Sequence, residues 1–151
     1  MARKRRLYAV RKSAIHGRGV FALTTIPKGI CIVEYRGRRT SWDEAAARDT
    51  DPDNPAHTFL FGLEDGRVID ASIGGNDARW INHSCDPNCE AFEDDTKRIF
   101  VETLRIIRPG EEITYDYRLA VEGRMTKREK AQFACHCGTR KCRGSLLGKD
   151  V

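Results

Sequence analysis

The chain has 151 residues, 40% hydrophobic and 32% charged, with a net charge of +5. That balance excludes a disordered chain, and no apolar run approaches the ~20 residues of a membrane span. One domain is the default at this length, and the basic start MARKRRLYAV lacks the apolar core of a secretory signal.

Residues 1–6 hold Arg3, Lys4, Arg5 and Arg6 and are expected as a disordered basic lead. From Leu7 onward, short apolar runs are broken by turns. GVFAL (19–23) precedes a turn at Pro27-Lys28-Gly29, and ICIVEYRG (30–37) is β-branched and aromatic, as strands are. A helix is expected over 41–49, where Ser41 and Glu44 form a capping box ahead of Ala45, Ala46 and Ala47. TFLFGL and RVIDAS flank Glu64-Asp65-Gly66, a hairpin signal. RIFVETLRII (98–107) reads as a strand ending at Pro109-Gly110, and EEITYDY (111–117) follows it. A second, polar helix is expected over 124–133. No internal repeat is visible. The elements predict a mostly-β domain with a few short helices and a small metal-bound tail.

Charge and cysteine placement narrow the function. Residues 118–143 are rich in Lys and Arg, whereas 41–57 carry Asp43, Glu44, Asp49, Asp51 and Asp53. The basic ends fit a solvated tail or weak contact with nucleic acid. The acidic stretch fits a solvated helix face or a wall for a basic peptide. Six cysteines without a secretory signal point to a reducing compartment and favour metal over disulfides. Three of them crowd into CHCGTRKCRG, at Cys135, Cys137 and Cys142. A closed structural zinc site takes four ligands, so a fourth must come from elsewhere.

HGRGVFA (16–22), RWINHSCDPNC (79–89) and EEITYDY with its cysteine-rich sequel occur in one order. Together they resemble the SET-domain family of protein lysine methyltransferases with a post-SET zinc tail, over nearly the whole chain. The resemblance implies a β-fold of several small sheets with a pseudoknot-like C-terminal crossing. It implies a SET domain over 7–118 with a variable insert near 40–57, a partly helical linker over 119–134, and a zinc-binding tail over 135–151. The fourth zinc ligand becomes Cys85 of NHSC, while Cys31 and Cys89 are expected as small core residues. S-adenosylmethionine is expected against the backbone of Arg18 and Gly19, with Phe59, Asn82, His83, Tyr117 and His136. A tight turn is the alternative for the glycines of HGRG. Trp80 stands where many relatives have Phe, and Phe59 where they have Tyr.

Strand alternation puts Tyr115 and Tyr117 on one face. By resemblance Tyr117 is the catalytic tyrosine, Tyr115 tunes the number of methyl groups towards one or two, and Tyr35 orients the lysine amine. The implied substrate is a basic protein tail, a histone or another DNA-associated protein. An intracellular site is expected, in cytoplasm or, for an effector, in the nucleus at host chromatin. The compact insert and bare domain resemble stand-alone bacterial or viral members. Oligomeric state is not legible. Two other readings stay open: a catalytically silent SET-like module that binds peptide or cofactor, and a zinc-pinned nucleic-acid binder.

Overall fold

The computed structural model describes residues 6–48, 59–117, 127 and 134–147. Its order is β1 (Tyr8–Lys12), β2 (Arg18–Ala22), β3 (Cys31–Tyr35), β4 (Arg38–Thr40), α1 (Trp42–Arg48), β5 (Leu60–Gly62) and β6 (Val68–Asp70). A 3-10 turn (Asp77–Trp80) follows, then β7 (Asn82–His83), β8 (Cys89–Glu93), β9 (Ile99–Thr103) and β10 (Glu112–Tyr115). The strands form three small sheets, ordered β1-β2-β10-β7, β3-β9-β8 and β4-β6-β5. This is the expected mostly-β fold of several small sheets.

β10 lies between two earlier strands, antiparallel to β2 and parallel to β7. The last strand is thereby threaded into the first sheet, which carries its C-terminal end into the middle of the molecule. Val20, Ile26, Ile81, Ile99, Val101, Ile107 and Ile113 are all buried to 1% exposure or less and form the core between the sheets.

An internal repeat, invisible in the sequence, organises that core. Ile26 and Ile107 exchange both backbone hydrogen bonds, each at 2.8 Å. Around them the contacts are reciprocal. Gly29 N–H donates to Thr103 O while Gly110 N–H donates to Ala22 O, and Thr103 N–H donates to Ile30 O while Ala22 N–H donates to Glu111 O. The partners differ by a constant 81 in number (107 minus 26, 103 minus 22). Thus β2-turn-β3 and β9-turn-β10 are two copies of one unit, interlocked because β3 pairs with β9 and β10 with β2. Only Val20/Val101, Leu23/Leu104, Ile26/Ile107, Gly29/Gly110 and Ile32/Ile113 are identical between them. Gly29 and Gly110 share a positive φ, 79° and 87°, which the two turns require.

Several expected elements hold with altered ends. The strand expected over 98–107 stops at Thr103, whose hydroxyl donates to Pro27 O and accepts from Ile30 N–H, turning the chain. The hairpin forms as β5-β6 around Gly66. In α1, Ser41 Oγ accepts from Glu44 N–H at 3.2 Å, the forward half of the capping box. The reverse half is replaced: Glu44 accepts from the Thr40 hydroxyl. Cys31 is exposed, not a core residue, because it begins β3 just before a register shift at Val33. Cys89 is fully buried, as expected. The helix expected over 124–133 lies outside the described residues except Lys127, which is helical.

Candidate active site

β10 and its continuation build the site. Parallel pairing sets Tyr115 opposite His83 and Thr114 opposite Asn82. The strand ends at Tyr115, yet Tyr117 still turns its ring alongside, 5.0 Å between centroids. Tyr117 N–H donates to His83 Nδ1 at 3.0 Å, and its hydroxyl donates to Ile81 O. Phe61 of β5 bridges Tyr115, 6.2 Å away, and Tyr35 of β3, 5.2 Å away. Tyr35, Phe61, Tyr115 and Tyr117 therefore make one aromatic cluster drawn from all three sheets.

Burial pushes the hydroxyls of Tyr35, Tyr115 and Tyr117 well above the ordinary tyrosine value, so all three stay neutral. Burial also pushes His83 down to about 4, against the opposing pull of Asp116. Its Nδ1 accepts the Tyr117 amide, so the neutral ring carries its proton on Nε2, which faces Cys85 Sγ at 3.3 Å. His83 is a fixed brace between Tyr117 and Cys85. The cluster offers aromatic faces and neutral hydroxyls, a set suited to a neutral amine and a cationic group, with no strong base among the described residues.

Asn82 borders this cluster. The two hydrogens of its Nδ2 are shared among His16 O (3.0 Å), Arg18 O (2.9 Å) and Glu112 Oε2 (2.9 Å). Three acceptors on one side fix the amide orientation, because a flipped Oδ1 would meet three oxygens. Oδ1 is consequently turned away and has no partner among the described residues. An amide oxygen beside these carbonyls is a donor set that fits the ammonium end of an amino-acid-bearing ligand, and the neighbouring rings fit a sulfonium.

The sulfurs of Cys85, Cys135, Cys137 and Cys142 lie within 4.8 Å of one another. Cys85 and Cys135 are 3.8 Å apart, too far for a disulfide. The edge of a tetrahedron with ~2.3 Å zinc–sulfur bonds is about 3.8 Å, so the spacing fits. Backbone N–H groups of Arg143, Cys137 and Gly144 point at Cys85, Cys135 and Cys142 sulfurs at 3.2, 3.4 and 3.3 Å. Those donors suit thiolates, the form that binds metal. Arg143 also grips Asp116, between the two tyrosines, through two guanidinium bonds of 2.6 and 3.0 Å.

Residues 17–118 match the model of the SET domain. The chain belongs to the SET-domain family. This SET domain is 40% identical over 140 residues to "Histone-lysine N-methyltransferase, H3 lysine-4 specific" of Chaetomium globosum, covering 89% of the chain and 13% of that protein. It is 38% identical over 141 residues to human Histone-lysine N-methyltransferase 2B, covering 91% of the chain and 5% of that protein. Histone-lysine N-methyltransferase set-2 of Caenorhabditis elegans is 36% identical over 148 residues, 95% of the chain and 9% of that protein. The chain thus spans a small part of each relative's length.

The SET domain brings Tyr35, Tyr115, Tyr117, Asn82 and His83 together, with the four cysteines on the far side of His83. Gly19 is buried beside Asn82, while Arg18 is exposed with its guanidinium 5.5 Å from the Trp80 ring. Phe59 stands edge-on to Trp80 at 5.2 Å, at the border of the cluster. His136 is exposed, one residue from Cys135 and from Cys137. Sequence reasoning missed Phe61, Glu112, Asp116 and Arg143. Phe61 is two residues after Phe59, and strand alternation signals a shared face. Glu112 and Asp116 lie in the EEITYDY stretch, where a carboxylate beside a tyrosine reads as an ordinary strand-edge charge. Arg143 had no local signal.

Proposed function

We propose that the chain is an S-adenosylmethionine-dependent protein-lysine N-methyltransferase whose substrates are Lys/Arg-rich tails, such as histones or another basic DNA-associated protein. The observation that carries this reading is the convergence of Tyr35, Phe61, Tyr115 and Tyr117 beside the fixed Asn82–His83 pair. S-adenosylmethionine supplies, when bound, an electrophilic methyl group on a sulfonium. Asn82 Oδ1 and the nearby backbone carbonyls would receive its ammonium. The aromatic walls exclude water and disfavour a charged lysine, lowering its pKa from ~10.4 towards the neutral amine that attacks. The hydroxyls of Tyr35 and Tyr115 orient that amine, and Tyr117 holds the line between donor and acceptor. The lysine gives its proton to bulk water before the neutral amine enters the aromatic cluster, with no strong base among the described residues there. Tyr115 favours one or two methyl additions by occupying room that a larger product needs.

The four cysteines form a post-SET zinc site in this reading, with a structural role: the metal ties the tail to the strand end that carries the tyrosines. The exposed Asp43 and Glu44 of α1 contribute to a wall for a basic peptide. Asp49, Asp51 and Asp53, the rest of that acidic stretch, lie outside the described residues, as does the basic lead except Arg6. No helix among the described residues is long and apolar enough to cross a membrane. Placement follows the substrate, at chromatin or in cytoplasm.

The test is labelled methyl transfer from S-adenosylmethionine to core histones and to a basic bacterial nucleoid protein, with zinc-loaded chain and intact-mass readout. Label on one of them supports the reading and gives the methyl number. Cofactor binding without transfer to any basic protein would favour the silent binding module. Folded, metal-loaded protein that binds no S-adenosylhomocysteine would overturn it.

A further inference from the structure

We infer that Glu112 is a positioning residue that sets the orientation of Asn82 for cofactor binding, and that Gly19 is glycine chiefly to let Glu112 do so. The inference rests on the cofactor reading above.

Glu112 opens β10, and its carboxylate links β7 to the turn after β1. Oε2 accepts from Asn82 Nδ2 of β7 at 2.9 Å, and Oε1 accepts from the hydroxyl of Ser13, just after β1, at 2.6 Å. β2 lies between β10 and β1, so the side chain must cross β2 to reach Ser13. Glu112 pairs with Phe21, and Gly19 lies two residues along on the same face. A Cβ at Gly19 would sit 2.5 Å from Glu112 Oε2 and 3.0 Å from Ser13 Cβ. No φ above +20° demands glycine at 19, unlike its neighbour Gly17 at +43°. The need for glycine at 19 is therefore room for a carboxylate.

Of the three acceptors on Asn82 Nδ2, two are backbone carbonyls that other donors can claim, and the third is this side chain. Ser13 in turn holds the turn that presents those carbonyls: its Oγ accepts from Ile15 N–H at 3.0 Å, and its N–H donates to Gly17 O at 2.8 Å. One carboxylate thus fixes both the amide and the loop carrying His16 O and Arg18 O. Glu112 never needs to touch the ligand. The larger part of its effect passes through Asn82 and the smaller part through Ser13, and the first part is testable by non-additivity.

The experiment is isothermal titration of S-adenosylhomocysteine into zinc-loaded wild type, Glu112→Ala, Glu112→Gln, Asn82→Ala and the double alanine variant, each checked for a cooperative melt. Glu112→Ala is expected to weaken binding at least about tenfold, the loss expected when a hydrogen bond to a charged group is removed. Glu112→Gln can still turn its amide oxygen to Asn82 and is expected within about threefold of wild type. The double variant is expected within about threefold of Asn82→Ala alone, the part that Ser13 carries. A double variant as weak as the product of the two single effects would overturn the inference, and so would Gln as weak as Ala. If Glu112→Ala does not fold, the Gln variant and Ser13→Ala, expected about threefold weaker, carry the test. Wild type that binds no S-adenosylhomocysteine would instead defeat the cofactor reading itself.

Discussion

Loss of the Arg143–Asp116 pair should loosen the cysteine-rich tail from the strand end that carries the tyrosines. The guanidinium makes two bonds to Asp116 and a third, at 3.1 Å, to Leu147 O. The two side chains are only 20% and 18% exposed. Orphaning one partner of a buried pair costs ~3–5 kcal/mol, and the residual water here reduces that to about 2–3 kcal/mol for Arg143→Met. In a domain of this size that is a Tm lower by about 5–10 °C. The bond from Arg143 N–H to Cys85 Sγ is backbone and survives the change. The decisive assay is a double-mutant cycle, by urea unfolding of zinc-loaded protein, with Asp116→Asn as the second variant. A coupling energy of about 1–2 kcal/mol is expected. Additivity within about 0.3 kcal/mol would refute the claim that this pair ties tail to strand.

Thiol reactivity should sort the six cysteines into three classes. Exposed Cys31 reacts with a thiol reagent in native, zinc-loaded protein; Cys85, Cys135, Cys137 and Cys142 react only after chelation; and Cys89, fully buried with a thiol pushed up to about 12 by burial, waits for unfolding. Five fast thiols without chelator would contradict the metal site. Alkali should unfold the protein through its tyrosines. Tyr35, Tyr115 and Tyr117 all have folded pKa values raised above the ~10 of an unfolded chain. The stability they confer is whole below pH ~10 and is lost as pH rises beyond it. Phenolate absorbance from these three should appear together with loss of circular dichroism, and phenolate near pH ~10 in a folded protein would show the burial to be wrong. Phe61→Ala and Phe59→Ala should separate, since Phe61 sits in the tyrosine cluster and Phe59 against Trp80. The first is expected to lower kcat by roughly tenfold or more, and the second to raise the KM for S-adenosylmethionine with little change in kcat. Identical profiles would contradict that division.

Local chemistry made much of this legible in the chain. The capping residue Ser41, the turn at Gly66 and the spacing of Tyr115 and Tyr117 each act over a few residues, and each came out as its pattern implies. So did the meeting of Cys85 with Cys135, Cys137 and Cys142, but only through resemblance, because no periodicity links residues 50 apart. What stayed hidden depends on tertiary pairing. β8, CEAFE, is too polar to advertise itself and exists because β9 pairs along its whole length. The repeat related by Ile26 and Ile107 keeps too few identical residues to register by eye. Cys31 misled because an apolar run says nothing about which end of a strand meets a bulge. Glu112 and Arg143 act across strands and across the chain, and a charge in sequence does not name its partner.

The most direct test of the central claim, that the tyrosine cluster is where methyl transfer occurs, is single-turnover transfer by Tyr117→Phe. The hydroxyl it removes bonds Ile81 O at the edge of the cluster, and the ring and its amide bond to His83 remain. Zinc content, melting and S-adenosylhomocysteine affinity should stay within about twofold of wild type, while the transfer rate on the best basic substrate falls at least about a hundredfold, as for loss of an aligning group acting mainly in the transition state. Transfer at the wild-type rate from that variant would place the chemistry elsewhere and contradict the account.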